Sequence, residues 1–286
     1  ILYRLVGSEM CIRDRNLGAY DVTEIVSQIS VSSGAENRPD TFTSFYSQGT
    51  SNINLRGLGL SSTLVLINGK RQTISGAKAQ DGSVFVDTGA IPAIALQQID
   101  ILKEGAAATY GSDAVAGVVN FMTRKQFDGV RVEGSWQTTT SDSQIDRNLS
   151  ILGGFDIGED THVVLAATAM RRGTLNSRER PDLVNRAISS LGTSFILSED
   201  VTVDSGPYAG TYTAGQNVPN PNCEAVGGVR IPNANGERCG YHYGLHYNVV
   251  NEEEREQFYA SLNSEFDDMS LTITGMFTDY DVLDNY

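Results

Sequence analysis

Positive charge is scarce in this chain: 21 Lys and Arg stand against 35 Asp and Glu, for a formal net charge of −14. A broad nucleic-acid surface is therefore not expected. Histidine is scarcer still, with His162, His242 and His246 only. No Ser/His/Asp constellation gathers around them, which disfavours a periplasmic or secreted hydrolase. No apolar run approaches the roughly 18 residues that a membrane-spanning helix needs. A membrane β-barrel stays open, because its strands alternate and leave a weak hydropathy trace. The glycine-rich run "EGAAATYGSDAVAGVVNFMTRK" (104–125) matches neither G-x-x-x-x-G-K-[ST] nor G-x-G-x-x-G, so a phosphate cradle is not expected there. Asp87-Thr88-Gly89 is the tripeptide of aspartic proteases, but it occurs once, and that chemistry needs two carboxylates sharing a proton. The chain is not expected to be an enzyme or to carry a cofactor or metal.

What is present is a foldable composition of 286 residues, with 40% hydrophobic and 20% charged residues. The 29 glycines and 12 tyrosines lean toward turn-rich β-structure. The first 15 residues, "ILYRLVGSEMCIRDR", resemble a translated sequencing-adapter tail and are set aside as foreign, as a tag would be. Cys11 falls in that tail, leaving Cys223 and Cys239 as the native pair.

Up to Lys125 the segments are mixed. "GAYDVTEIVSQI" (18–29) predicts a short amphipathic helix with Val22, Ile25, Val26 and Ile29 on one face, continuing into a strand at "ISV". "NINLRGLG" alternates until it meets glycine. "STLVLINGKRQTI" predicts a hairpin turning at Asn68-Gly69, the preferred type I′ pair. "QIDILKE" and "VVNFMT" predict further strands. After Lys125 the chain alternates cleanly. Val130, Val132, Gly134 and Trp136 share one face. Leu149, Ile151, Gly153 and Phe155 share another, as do Phe258, Ala260 and Leu262, and then Leu271, Ile273 and Phe277. "THVVLAATAMRR" alternates less clearly. "DIGED" and "FDDM" are tight connections, whereas about eighty residues separate Arg172 from Glu254. Short turns on one side and a long loop on the other suit an outer-membrane barrel; a soluble β-sandwich fits the periodicity equally.

"NLRGLGLSSTLVLINGKR" and "IPAIALQQIDILKEGAAATYGSDAVAGVVNFMTRK" closely resemble the plug of TonB-dependent outer-membrane receptors. The matching features are Arg56-Gly57, the strand into Asn68-Gly69, Ile91-Pro92, "QIDILKEG", and Tyr110-Gly111 followed by Ala114 and Gly117-Val118-Val119-Asn120. The resemblance implies an α+β plug domain over 16–126. Antiparallel transmembrane β-barrel strands follow over 127–286, the first part of a barrel of about 22 strands, with a long extracellular loop at about 173–253. It implies active uptake of a nutrient (siderophore, vitamin, glycan or peptide) across the outer membrane of a Gram-negative bacterium. The implied partners are TonB with its inner-membrane energising complex, a small nutrient ligand and outer-membrane lipid. The TonB box is expected upstream and further barrel strands downstream, so the chain reads as a fragment. The small residues of 104–125, Gly105, Gly111 and Gly117 among them, are then read as turn and close-packing positions. A β-rich surface-binding or adhesion module is the alternative.

By the same resemblance Arg56 locks the plug to barrel-wall glutamates; many relatives carry a second Arg where this chain has Thr109. Ligand-facing plug loops are expected at Leu58, Gly59, Leu60, Ser61 and Ser62, and at the polar stretch with Gln72, Thr73, Ser75, Lys78, Gln80 and Asp81. Tyr241 and Tyr243, interleaved with His242 and His246, are candidates for ligand capture at a loop mouth. Cys223 and Cys239 read as a disulfide in an extracellular loop, worth about 3 kcal/mol for a loop of this size. C-x15-C-x2-H-x3-H also leaves a zinc site open, and free thiols a third state.

Overall fold

The structure is a computed structural model that describes residues 21–42, 44, 46–103, 106–140, 143–185, 187–189 and 192–283. The tail assigned as foreign and Gly105 lie outside the described residues. Two compact units divide the chain, one of residues 1–174 with 250–284, the other essentially 175–249.

The first unit begins with helix α1 (Val22–Ser27), whose N-terminus is closed by Asp21: its Oδ1 accepts from the Glu24 amide at 2.7 Å. Val22 and Val26 face inward, as the apolar spacing requires. Next comes the hairpin of β1 (Thr63–Ile67) and β2 (Lys70–Arg71). Asn68 and Gly69 both take positive φ, 50° and 77°, as a type I′ turn demands. β3 (Leu96–Leu102) and β4 (Gly117–Thr123) complete a sheet of order β2-β1-β4-β3, with β1 parallel to β4 and β3 antiparallel to it. Every residue of β1 is buried, which explains why "TLVLI" is continuously apolar apart from its first residue. Phe121, Val119, Val65, Leu55 and Ile91 form the core beneath α1.

One expected strand does not form. "ISV" (29–31) joins no sheet, and the isolated bridge just after it runs from Ser32 to Leu55. "NINL" is buried but irregular, and side chains answer its backbone donors: the Asn52 amide donates to Asn37 Oδ1 at 2.7 Å and the Leu55 amide to Thr63 Oγ1 at 3.0 Å. The small-residue run divides in two. Ala106–Tyr110 is a short helix, α2, ended by Gly111 at φ 88° with open space around it. Gly117 is different. It has φ 136°, and a Cβ there would lie 2.6 Å from the Leu102 carbonyl oxygen and 2.7 Å from Leu55 Cδ1.

β5 (Gly129–Thr138), β6 (Ile145–Ile157) and β7 (Thr161–Arg172) then start a second, antiparallel sheet. The intervening unit carries β8 (Leu175–Asn176), β9 (Ser194–Ile196), β10 (Val201–Val203), β11 (Gly210–Tyr212), β12 (Asn217–Pro219), β13 (Gly228–Asn233), β14 (Gly236–Tyr241) and β15 (Asn248–Val250), with a one-turn helix α3 (Pro181–Val184). The segment expected as a loop thus has its own four-stranded sheet, β13-β14-β12-β9. Its longest strands span only six residues, too short to betray a sheet by periodicity. Cys223 and Cys239, both buried, are bonded with 5.6 Å between Cα atoms.

β16 (Glu252–Phe266) and β17 (Met269–Leu283) return to the large sheet, giving the order β17-β16-β7-β6-β5 and an unclosed wall. Its five strands are those expected from alternation. One face is apolar and exposed, with Val132, Ile151, Ala167, Phe258 and Phe277 in one cross-strand row. On the other face Leu152, Val164, Ala166 and Tyr259 pack on Ile94 and Ala95 of the N-terminal domain. That contact makes β7 apolar on both faces and blurs its pattern.

Substituting Gly117→Ala is expected to lower stability by about 2–4 kcal/mol, through φ strain plus a clash with backbone. Gly111→Ala, strained but unobstructed, is expected to cost about 1 kcal/mol. Urea unfolding of the two variants refolded in detergent measures the difference.

Candidate functional site

The inward face of β16 is a column of polar side chains at alternate positions: Glu253, Arg255, Gln257, Tyr259, Ser261 and Asn263. Period-2 geometry aims all six at the N-terminal domain, and most of them end on its backbone. Arg255 Nη1 donates to the Gly89 carbonyl at 3.0 Å and Nη2 to the Gly49 carbonyl at 2.6 Å. Gln257 Nε2 donates to Gly89 O at 2.8 Å. Tyr259 Oη lies 2.9 Å from both Thr123 Oγ1 and the Arg124 carbonyl. Asn263 Nδ2 donates to Lys125 O at 2.8 Å. From the neighbouring strand, Thr278 Oγ1 donates to Ala90 O at 2.7 Å.

Local folding explains why those carbonyls are presented. Asp87 caps the turn Thr88–Ala90, its Oδ1 accepting from the Gly89 amide at 2.8 Å and the Ser51 amide at 2.9 Å. A side chain at 89 would sit 2.9 Å from Arg255 Nη1, so glycine is what lets the guanidinium reach the backbone. The Asp87-Thr88-Gly89 tripeptide, set aside as a protease signature, is thus a wall-facing turn.

Charge is concentrated at the same place. Arg255 and Glu253 are 5% and 4% exposed; Arg255 Nη2 pairs with Glu253 Oε1 at 2.5 Å, and Arg172 Nη1 pairs with Glu253 Oε2. Arg172 Nε is 3.7 Å from Asp146. The Tyr280 ring lies 6.0 Å from the Arg255 guanidinium carbon. Burial pushes the Asp87 carboxyl above the usual range, against the pull of its two amide bonds and of Arg255.

The residues singled out from sequence fall in several places. Arg56, at φ 59°, donates to the Val115 and Ala116 carbonyls of its own domain, so the contacts of the described residues do not include the expected wall glutamate. The two loops assigned to ligand are brought together: Leu60 packs with Ala79 and Phe85, and Ser61 Oγ donates to Val84 O. Leu60 itself is 5% exposed, buried within that cluster. Leu58 is exposed, and the Gly59 amide is held by Asn54 Oδ1 at 3.0 Å. Thr73, Lys78, Gln80 and Asp81 are exposed, with Ser62, Gln72 and Ser75 half-buried. The Ser83 amide and hydroxyl hold the Asp81 carboxyl below its ordinary range. In the other unit Tyr241 stacks on His246 at 5.2 Å and Tyr243 meets Tyr247 edge-on at 6.0 Å. The bonded cysteines are unavailable as zinc ligands.

Asp128, Asp156 and His162 form the one metal-compatible group among the described residues. Yet His162 Nδ1 lies 2.6 Å from Asp156 Oδ1, and Nε2 accepts from the Phe127 amide at 3.0 Å. Both ring nitrogens are engaged, so the group reads as a clip on the residue entering β5.

Sequence reasoning missed Arg255 and Gln257. The available signal was the run of long polar residues at odd positions of β16, continuing the face that holds Tyr259 and Asn263.

Residues 13–118 match the family model described as the TonB-dependent Receptor Plug Domain. The N-terminal domain is a TonB-dependent receptor plug domain. Two curated relatives from Vibrio cholerae serotype O1, strains O395 and El Tor Inaba N16961, are each named "Iron-regulated outer membrane virulence protein". Each is 35% identical over 92 residues, which covers 32% of this chain and 14% of the relative. The chain therefore spans a small part of the length of these relatives. Among solved structures, a mutant ferric enterobactin receptor (PfeA) from Pseudomonas aeruginosa in complex with enterobactin aligns with TM-score 0.50 and 16% identity. The alignment covers 92% of this chain and 31% of that one, a likeness of fold. The family is one of transport receptors, and plug followed by the opening strands of an unclosed barrel is the architecture here.

Arg255→Met leaves Glu253 buried with one partner fewer and is expected to destabilise the plug–wall contact by about 3–5 kcal/mol, measured as unfolding of the refolded chain in detergent. Asp87 has a raised folded pKa, so its contribution is fully present below its unfolded value of about 4 and is lost as pH rises through the folded value. Asp87→Asn keeps the Oδ1 acceptor and is expected to flatten that loss in a pH series of unfolding midpoints.

Proposed function

We propose that this chain is the plug and opening wall of a TonB-dependent receptor that takes up a nutrient across the outer membrane, the plug gating the barrel. One observation carries the reading: the same five strands present polar donors to the plug on one face and an apolar, exposed band on the other. The band has a defined end. Val132, Ile151, Ala167, Phe258 and Phe277 form an apolar row, and two rows further along the strands Trp136, Arg147, Arg171, Glu254 and Asp281 form a charged one. Such a boundary, with an aromatic at the transition, is what a lipid–water interface selects.

Transport then requires the plug to move against the wall, so the contacts of β16 set the resistance to opening. The polar loops around 58–62 and 72–81 offer amide, hydroxyl and ammonium groups to a ligand. Tyr241 and Tyr243 supply aromatic surface in the other unit. A ferric chelate is the first cargo to test, because the curated relatives are named as iron-regulated and the aligned receptor as one for ferric enterobactin. TonB is the proposed energising partner. Arg56 is proposed to reach barrel-wall glutamates beyond the strands described here.

The full-length gene, expressed in an outer-membrane-competent host lacking its own ferric siderophore receptors, is expected to place its product in the outer-membrane fraction. It is also expected to restore TonB-dependent uptake of radiolabelled ferric siderophore. Equal uptake with and without TonB, or a product confined to the soluble fraction, would overturn the reading. Arg56→Ala is expected to raise the ion conductance of the full-length receptor in planar bilayers.

A further inference from the structure

We propose that the seam between plug and wall binds a small halide-class anion, in a cavity bounded by Asn37, Gln48, Glu253 and Arg255. The cavity measures about 30 Å³ and is lined from the plug side by Asn37, Arg38 and Gln48 and from the wall side by Arg172, Glu253 and Arg255. That exceeds the roughly 10–15 Å³ that a single water requires.

Its polarity is one-sided. Three buried side-chain nitrogens of the lining have no hydrogen-bond partner: Arg255 Nε, Asn37 Nδ2 and Gln48 Nε2. Arg255 is 5% exposed, so its Nε–H has been taken out of water without compensation. The Asn37 amide does not reverse to supply an acceptor. Asn37 Oδ1 already accepts from the Asn52 backbone amide at 2.7 Å, and a backbone N–H only donates. Gln48 Oε1 accepts from Asn251 Nδ2 at 2.8 Å. The carboxylate in the lining is committed as well: Glu253 Oε1 takes Arg255 Nη2 and Oε2 takes Arg172 Nη1.

Donors are therefore in surplus: the orphaned N–H groups point at a cavity whose one lining carboxylate is already committed. A water placed there accepts two of the orphaned N–H groups but brings two O–H groups that need acceptors of their own. A halide only accepts and brings no O–H groups of its own, and the Arg255 guanidinium beside it supplies a positive charge. The site also has a mechanical position. The other two nitrogens of the same guanidinium hold the plug carbonyls of Gly49 and Gly89, so an anion on Nε completes the group that ties plug to wall. Because it takes donors from both sides, the anion is released when the two separate.

Bromide is the probe. Crystals of the full-length receptor soaked in sodium bromide are expected to show an anomalous difference peak within hydrogen-bond reach of Arg255 Nε and Asn37 Nδ2. Asn37→Asp, which keeps the acceptor for the Asn52 amide and replaces the donor with a carboxylate oxygen, is expected to abolish the peak. Gln48→Glu is the second variant, should the first not fold, with the same expected loss. No peak in the unmodified receptor, an ordered water there indifferent to bromide, or a peak of equal height in the variants would each overturn the assignment.

Discussion

A buried guanidinium meeting backbone carbonyls across a seam is the interaction on which the rest depends. Arg255 sits on the wall, yet its hydrogen bonds end on Gly49 and Gly89 of the plug. A fully buried cation is costly unless paired and hydrogen-bonded. Here the pairing comes from Glu253 and, through it, Arg172. The bonding comes from a turn that Asp87 builds and Gly89 leaves open. Wall and plug hold each other's polar groups, so neither is fully satisfied alone.

Such a contact suits a part that must stay seated and yet be removable. Hydrogen bonds of side chains to backbone are directional and individually modest, about 1 kcal/mol each net, so a column of them resists sliding while remaining breakable in sequence. An apolar seam of the same area would hold by surface burial and expose that surface on opening. The seam does contain one apolar patch, Ile94 and Ala95 against Leu152, Val164 and Ala166. Polar donors occupy most of the remainder of β16. The wall's opposite face follows the contrary rule, because lipid offers no hydrogen bonds and accepts only apolar side chains.

Much of this was legible. The Asn68-Gly69 hairpin, helix α1 and four of the five wall strands follow from local chemistry: positive φ at the turn, apolar residues three and four apart, and strict alternation. The motifs from Arg56-Gly57 to Gly117-Val118-Val119-Asn120 mark the plug. Illegible parts share a cause. "NINL" alternates like a strand, but its backbone is satisfied by Asn37 and Thr63 side chains that are distant in sequence or on the next element. β7 reads ambiguously because its inner face touches Ile94 and Ala95. The segment 175–249 looked like loop because strands of two to six residues carry too few alternations to register. Leu60 was grouped with exposed neighbours, although Ala79 and Phe85 bury it.

From its sequence alone this protein has a plug-like domain, a two-faced set of wall strands, and glycines where turns or close approach demand them. These are consequences of local backbone geometry and side-chain period. Tertiary structure alone decided that the binding partners of Arg255, Gln257 and Asn263 are carbonyls of the plug, that Arg56 turns to its own domain, and that Cys223 bonds Cys239. Each of these depends on which distant segments share one small volume, and hydrogen bonding and bond formation act over a few ångströms of space irrespective of separation along the chain.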